Sequence, residues 1–186
     1  RYRFSTHSLL SSALEIWQDA PVTLLREHYR CHPKIINFCN QKFYHGQLIV
    51  MTKDHDEPDV LTMYRTTAGN HARGHLNRRQ IDVIQQEVLP RVHQKNFQSI
   101  GIITPYRDQV TAIRKQLGDT YEVDTVHKFQ GREQDAIILT SVDNVITDFV
   151  DDAHMLNVAV SRAVHSLAVV ISQDPRNDQT NYGDLM

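Results

Sequence analysis

The sequence has few of the residues that mark specialised classes of protein. Seven glycines and six prolines in 186 residues are too few for a collagen-like or low-complexity chain. The two cysteines, Cys31 and Cys39, form neither a disulfide scaffold nor paired CxxC zinc ligands. No apolar run approaches the roughly 20 residues that cross a bilayer, and the first residues lack the order of a signal peptide. These absences predict a globular protein of the reducing cytoplasm.

The sequence also lacks an excess of charge of either sign. Twenty lysine and arginine residues stand against 22 aspartate and glutamate residues, and the formal net charge is −2 at pH 7. This excludes the strongly basic type of nucleic-acid-binding domain, in which the pI exceeds about 9. Any surface that binds nucleic acid must therefore be local.

The apolar residues that are present form short β-branched runs alternating with longer amphipathic segments. This pattern predicts an α/β fold with a parallel sheet flanked by helices. The predicted strands are residues 22–25, 60–64, 99–104, 121–126, 136–142 and 167–172. The predicted helices are residues 33–44, 77–88 and 106–117.

The segment 101–109 predicts a strand followed at once by a helix. Thr104 is the expected N-cap, and Pro105 suits the first helical position. The helix then begins at the carboxyl edge of the sheet, where open α/β sheets bind ligands. Its free N–H groups suit a phosphate, and Tyr106 adds an aromatic face. An ordinary strand-to-helix turn explains the same residues.

The segment 123–135 is a polar connection between two apolar strands. Gly131 allows an unusual backbone conformation or a close approach to a ligand. Gln130, Arg132 and Glu133 add a neutral polar group, a cation and a carboxylate. The segment is a candidate site, and a solvated loop is the alternative.

The segment 156–163 is apolar except for three polar residues, one of which is Arg162. If this segment is a helix against the sheet, the guanidinium needs a carboxylate, a carbonyl or a ligand phosphate as its partner. A structural salt bridge therefore competes with a ligand contact.

Arg30 precedes a helix that begins at Pro33, so its side chain stands at an element boundary where it can face a cleft. The neighbouring His28, Cys31 and His32 could suggest a metal. They lack a second pair of ligands at finger spacing, and we assign no metal to the chain.

Taken in chain order, these segments resemble the motifs of the second RecA-like domain of superfamily 1 helicases. The subgroup is that of the nonsense-mediated-decay and Okazaki-fragment-processing helicases. The matching segments are residues 29–33 and 43–48 (motif IV and the helix after it), 103–106 with Gln109 (the nucleic-acid-facing turn), 124–133 with Asp135 (motif V) and 156–163 (motif VI). The resemblance extends from about residue 24 to residue 170.

The resemblance implies a RecA-like P-loop NTPase fold, a mostly parallel sheet with helices on both faces. It implies the C-terminal motor domain of an ATP-dependent DNA or RNA helicase. The residues that it assigns are Arg30 and Arg162 as arginine fingers, Gln130, Gly131 and Glu133 at ATP, and Thr104, Pro105, Tyr106, Thr125, His127 and Lys128 at nucleic acid.

The resemblance also implies the cofactors and partners. The cofactors are ATP and Mg²⁺, and the partners are the first RecA-like domain of the same parent chain and a single strand of DNA or RNA, with no membrane. The sequence has no GxxxxGK[ST] phosphate loop and no acidic metal-binding box after a strand. The family keeps both on its first domain, so we expect half of an ATPase, inactive in isolation.

Three positions depart from the family pattern. His28 stands where glutamine is frequent, and Ser161 stands where threonine is commoner. His127 stands at a position often taken by aspartate, which would alter the charge near a bound strand.

We expect residues 1–20 to be an incoming segment from an upstream domain, 21–173 to form the RecA-like domain and 174–186 to be a frayed or truncated exit. A degenerate RecA-like module without catalysis is the alternative function. Retention of Arg30, Glu133 and Arg162 argues against it. A nuclease would need a tight cluster of Asp, Glu and Lys for two metals, which the sequence does not offer.

Overall fold

The structure is a computed structural model that describes residues 7–185. The described strands are β1 (Glu27–His28), β2 (Ile49–Val50), β3 (Leu61–Thr66), β4 (Ala72–Arg73), β5 (Leu76–Asn77), β6 (Ile100–Thr104), β7 (Glu122–Thr125), β8 (Gln134–Thr140) and β9 (Ala163–Ser172). The described α-helices are α1 (Leu9–Ile16), α2 (Pro33–Phe43), α3 (Arg78–Val83), α4 (Leu89–His93), α5 (Arg107–Leu117) and α6 (Ala153–Val160).

Five parallel strands form the central sheet, in the order β3–β9–β8–β6–β7. The strands β8 and β9 lie inside the sheet and are buried along most of their length, as is typical of strands covered on both faces. A parallel pair, β1 with β2, and an antiparallel hairpin, β4 with β5, stand outside this sheet.

Each face of the sheet carries its own apolar cluster, because successive side chains of a strand point to opposite faces. Ile137 and Leu139 of β8 pack with α2 and α6 on one face. Ile138 packs with α5 and with the helical stretch from α3 to α4 on the other. Each such fully buried side chain contributes about 1.5–3 kcal/mol. The α/β class with helices on both faces is confirmed.

The predicted helices 33–44 and 106–117 correspond to α2 and α5. The predicted helix 77–88 is longer, because helical structure continues from α3 through a π-helix (Ile84–Val88) into α4. Pro90 lies in this stretch, and a proline inside a helix lacks the N–H that an α-helical bond needs and crowds the preceding turn. The wider π-turn before Pro90 accommodates it, so the helix does not end there.

Two local predictions are wrong. Residues 22–25 are not a strand, and Val22, Leu24 and Leu25 are exposed, because no strand within residues 7–185 pairs with them. The predicted helix start is wrong at both residues: Thr104 pairs with Thr125 as the last residue of β6, and Pro105 precedes the cap residue Tyr106, which makes no side-chain cap hydrogen bond, so Pro105 is not the first residue of α5.

The C-terminal residues pack against the sheet instead of fraying. Two 3₁₀-helices, Pro175–Gln179 and Gly183–Leu185, cover the α2 face, and Tyr182 and Leu185 are buried in its cluster. Asn177 fixes the tail by donating to the carbonyl of Ser172 at 2.9 Å. None of the helices in residues 7–185 is long and apolar enough to cross a membrane.

Candidate functional site

The sheet separates the predicted site residues into two groups on opposite edges. Thr104 and Thr125 end β6 and β7, so they lie at the carboxyl edge. Glu133 directly precedes β8 and Arg162 directly precedes β9, so they lie at the amino edge. Because all five strands are parallel, the two edges are on opposite sides of the domain.

At the amino edge the structure brings Arg30, Glu133 and Arg162 together. The Nε of Arg30 is 2.5 Å from a carboxylate oxygen of Glu133, and both side chains are about half exposed. The charges of Arg30 and Glu133 both act on Arg162. Gln134 follows Glu133 and donates its N–H to the carbonyl of Arg162 at 3.0 Å. Three residues that are far apart in sequence thus form one cationic cluster with a single carboxylate.

The segment 27–33 is held in place by hydrogen bonds that its own residues make. His28 accepts from the N–H of Cys31 at 2.9 Å, and the thiol of Cys31 donates to the carbonyl of Ser161 at 3.4 Å. The N–H of His32 donates to the carbonyl of Val164 at 2.7 Å. These bonds connect the turn before α2 to the turn between α6 and β9, and so place Arg30 beside the second arginine.

Arg162 is held by neutral oxygen atoms. Its Nε donates to the carbonyl of Val158 at 3.1 Å, its Nη1 to the carbonyl of Arg132 at 3.3 Å and its Nη2 to the hydroxyl of Ser161 at 3.1 Å. Among the ion pairs of residues 7–185, none includes Arg162. Burial, and after it the charge of Arg30, lower the pKa of Arg162. The site therefore has a cation oriented by carbonyls and suited to an added anion.

An open depression of about 580 Å³ adjoins Arg30 and Glu133 of this cluster, and its lining also includes Glu27 and Tyr29 but not Arg162. Tyr29 is 66% exposed, and its hydroxyl donates to Glu27. No role was predicted for Tyr29 from the sequence. The available signal was its position directly before Arg30, since an aromatic ring beside a phosphate-binding cation can stack on a base.

The residues between β7 and β8 cross from the carboxyl edge to the amino edge. A 3₁₀-helix (Val126–Phe129) follows β7 directly, and Phe129 is buried in the core. Gln130 and Gly131 are exposed, and Gly131 has a φ of +83°, in the region that favours glycine. Arg132 forms an ion pair with Glu122, the first residue of β7. We call residues 126–133 the crossover.

At the carboxyl edge, the predicted residues differ in exposure. Thr104 and Thr125 are buried, and the hydroxyl of Thr104 has no hydrogen-bond partner in the described structure. Pro105 is partly buried, whereas His127 and Lys128 are exposed. The threonines therefore shape the edge, and the exposed residues are those that a ligand can reach.

Tyr106 is held on several sides. Its ring stacks on that of His75, with centroids 4.2 Å apart, and lies 5.7 Å from that of Phe149. Its hydroxyl is 3.2 Å from a carboxylate oxygen of Asp143. Burial raises the pKa of the Tyr106 hydroxyl. The aromatic face expected from the sequence is thus already contacted by other rings.

Gln109 is a structural residue of the hairpin next to Tyr106. It is fully buried, accepts from the N–H of Asn77 at 2.9 Å and donates to the carbonyl of Asn77 at 3.3 Å. Both polar atoms of the amide are therefore used to hold β5 against α5.

His32, Asp54 and Glu57 form a cluster whose possible ligand atoms lie within 4.8 Å of one another. The Nδ1 of His32 accepts from the N–H of Lys34 at 3.1 Å, so in the neutral ring the proton is on Nε2. That Nε2 lies 3.2 Å from Glu57 and 3.4 Å from Asp54, and it donates to these carboxylates. Nε2 is thus a donor here, whereas a metal ligand must offer a lone pair.

Comparisons with known proteins show what this chain is similar to. The profile of a family described as AAA domain matches residues 5–174. The uncharacterized ATP-dependent helicase C05C10.2 of Caenorhabditis elegans is 30% identical over 164 residues, which cover 77% of this chain and 11% of that protein. The regulator of nonsense transcripts 1 homolog of Neurospora crassa is 29% identical over 184 residues, which cover 82% of this chain and 17% of that protein.

A solved structure shares the fold. The C-terminal domain of a possible DNA helicase from Lactobacillus plantarum WCFS1 superposes with a TM-score of 0.55 at 18% sequence identity, covering 84% of this chain and 96% of that one. The chain thus matches nearly the whole of a single domain. It spans only 11% and 17% of the two curated relatives.

Proposed function

The chain belongs to the AAA domain family as a C-terminal, RecA-like domain of the superfamily 1 helicase type. We propose that it closes one wall of an ATP cleft and carries half of a single-strand track. The observation that supports this most directly is the convergence of Arg30, Glu133 and Arg162 at one edge of the sheet. The parent protein is then an ATP-dependent helicase acting on DNA or RNA.

Arg30 and Arg162 act in this proposal as arginine fingers. In phosphoryl transfer, negative charge spreads over the equatorial oxygens of the γ-phosphate, and an arginine finger that stabilises it contributes about 10³–10⁵ in rate. The carbonyl contacts of Arg162 orient its guanidinium without neutralising it. The first RecA-like domain supplies the phosphate loop and the Mg²⁺ ligands. ATP and Mg²⁺ are therefore held mainly by that domain.

The remaining nucleotide contacts come from the crossover and the segment before α2. Glu133 keeps Arg30 in position until the phosphate arrives, and Gln130 and Gly131 line the path to the ribose. Tyr29 offers an exposed ring to the base.

The carboxyl edge contributes half of the track for a single strand. Lys128 and His127 are exposed there and can meet phosphates. Thr104, Pro105 and Thr125 set the shape of this edge, and Tyr106 supports it from behind. Contact with only half of a track makes binding by the isolated domain weak and sensitive to salt.

The crossover couples the two sites. It follows Thr125, on the carboxyl edge, and ends at Glu133, on the amino edge. A change of position at the phosphate therefore reaches the strand through fewer than ten residues of continuous backbone, anchored midway by the buried Phe129.

The Arg30–Glu133 ion pair also favours a second candidate, a RecA-like module that binds a partner without catalysis. In that case the arginines would form only structural ion pairs and would not contact a nucleotide. The absence of a carboxylate on Arg162 within residues 7–185 favours the catalytic proposal.

The experiment uses a protein that carries the upstream RecA-like domain together with this chain. We expect Arg30→Ala and Arg162→Ala each to lower kcat for ATP by at least about 10³, with nucleotide binding less affected. Arg162→Lys should not restore the rate, because an ammonium lacks the planar fork. Arg176→Ala, which removes an exposed arginine paired with Asp174, is the matched control. An effect confined to KM would contradict the finger role.

The isolated chain provides a second test. Without a phosphate loop, the purified 186 residues should not hydrolyse ATP. Turnover that disappears in Arg162→Ala would show catalysis by this domain alone and contradict the proposal.

A further inference from the structure

Three aromatic rings from three separate connections meet at the carboxyl edge of the sheet. His75 lies in the turn of the β4–β5 hairpin, Tyr106 directly precedes α5, and Phe149 lies in the loop between β8 and α6. The rings of His75 and Tyr106 are nearly parallel, at 4° with centroids 4.2 Å apart. Those of Tyr106 and Phe149 are inclined by 26°, at 5.7 Å. We call these three rings the aromatic column.

The middle ring of the column is fixed and the outer rings are exposed. Tyr106 is half-buried and its hydroxyl bonds to Asp143, which also accepts from the hydroxyl of Thr147 at 2.9 Å. Phe149 is 53% exposed and His75 is exposed. The exposed parts of these two rings are available for contact with a ligand.

The β4–β5 hairpin that carries His75 is itself well anchored. Its two-residue turn begins at Gly74 with a φ of +58°, as two-residue hairpin turns require. The N–H groups of His71 and Ala72 both donate to the side-chain oxygen of Asn144, at 2.9 and 3.0 Å. The imidazole is therefore presented from a fixed position, which lowers the conformational entropy lost on binding.

We infer that the exposed faces of His75 and Phe149 stack unpaired nucleobases, so that the aromatic column extends the single-strand track with Tyr106 as its central support. This inference rests on the proposed function and gives the base contacts to residues other than Tyr106. Flat rings bind bases of any sequence, since every base has a π-face. The occupant is one unpaired strand. Arg107, exposed at the start of α5, can meet its phosphates.

The experiment measures binding of the chain to two fluorescein-labelled oligomers of equal length, oligothymidylate and an abasic deoxyribose-phosphate strand. We expect His75→Ala and Phe149→Ala each to weaken binding to oligothymidylate about tenfold, within the range of base–aromatic stacking. Binding to the abasic strand should change less than about twofold, because its phosphates remain. His75→Tyr should retain affinity for oligothymidylate, because it keeps an aromatic face.

The matched control is a second pair of stacked rings, the partly buried Phe97 and the exposed His165, which are parallel within 7° at 6.1 Å but lie at the amino ends of β6 and β9. The His165→Ala variant should bind both oligomers with the affinity of the unsubstituted chain. If His75→Ala and Phe149→Ala bind oligothymidylate like the unsubstituted chain, or lose both oligomers equally, the column does not stack bases. If the unsubstituted chain binds neither oligomer, the proposed track fails, and this inference fails with it.

Discussion

Among single residues, both cysteines are core residues, and Cys31 also helps to hold the amino edge. Cys31 and Cys39 are fully buried, and Cys31 connects the turn that holds Arg30 to the carbonyl of Ser161. Burial raises the pKa of the Cys31 thiol to about 11 and that of the Cys39 thiol to about 12. Buried thiols of this kind are unreactive, since the thiolate is the nucleophile.

We therefore expect iodoacetamide at about pH 8 to modify neither cysteine in the folded chain, because only about a thousandth of Cys31 is thiolate three units below its pKa. The chain unfolded in guanidinium is the control, and both thiols should react there. Mass spectrometry of the peptides gives the sites. Rapid modification of Cys31 in the folded chain would show that the turn before α2 opens.

The same two thiols predict a loss of stability at high pH. Their pKa values are higher in the folded state than in the unfolded state, so their contribution is complete below the ordinary thiol pKa near 9. It decreases as the pH rises from there towards 11, because the unfolded state then loses protons that the folded state retains. Urea unfolding of the Cys39→Ala variant, compared with the unsubstituted chain across this range, measures the share of Cys39.

At the scale of the element, the crossover is the part of the fold on which the proposed coupling depends. Gly131 is an exposed residue of the crossover, with a φ of +83° and open space around the position of a Cβ. Gly118, at the end of α5, has a φ of +72° and is equally open. The two glycines thus form a matched pair, one on the crossover and one away from it.

We expect Gly131→Ala and Gly118→Ala each to cost about 1–3 kcal/mol in the free energy of unfolding, because alanine is strained at positive φ. Only Gly131→Ala should also reduce the stimulation of ATPase by a single strand in a protein with both RecA-like domains. Urea unfolding and ATPase rates with and without the strand measure the two effects. Equal loss of stimulation in both variants would mean that stability, and not the crossover, sets the coupling.

At the scale of the whole molecule, the segment from α1 to β1 is apolar and yet exposed. Its exposed apolar residues are Leu9, Leu10, Leu14, Ile16, Trp17, Val22, Leu24 and Leu25. A surface of this kind marks an interaction site. We propose that it packs on the upstream RecA-like domain.

Trp17 reports on this packing, because it is the single tryptophan of the chain and is 64% exposed. In a protein with the upstream domain, we expect its emission to shift to shorter wavelength and its quenching by acrylamide to decrease at least about twofold, as burial excludes water. Subtracting the spectrum of the Trp17→Phe variant of this protein removes the signal of its other tryptophans. Quenching equal to that of the isolated chain would contradict the packing.

The fold class and five of the six predicted strands were predicted correctly from the sequence alone. Apolar runs such as 136–142 and 167–172 are long enough to require burial on both faces, and amphipathic segments such as 106–117 have one apolar stripe. These patterns are local in the sequence, and the corresponding strands and helices are present in the structure. The π-turn before Pro90 and the unpaired residues 22–25 were not predictable in this way, because each depends on what packs or fails to pack beside it.

Which site residues lie next to one another depends on the tertiary structure and could not be predicted from the sequence. The motifs of Arg30, Glu133 and Arg162 are more than 100 residues apart at the extremes, and parallel pairing of β8 with β9 puts the last two side by side. Parallel pairing of β6 with β7 brings Thr104 and Thr125 together on the opposite edge. The aromatic column has no signature in the sequence, because its three rings come from three connections. Their meeting follows from the order of strands in the sheet, which is a property of long-range contacts.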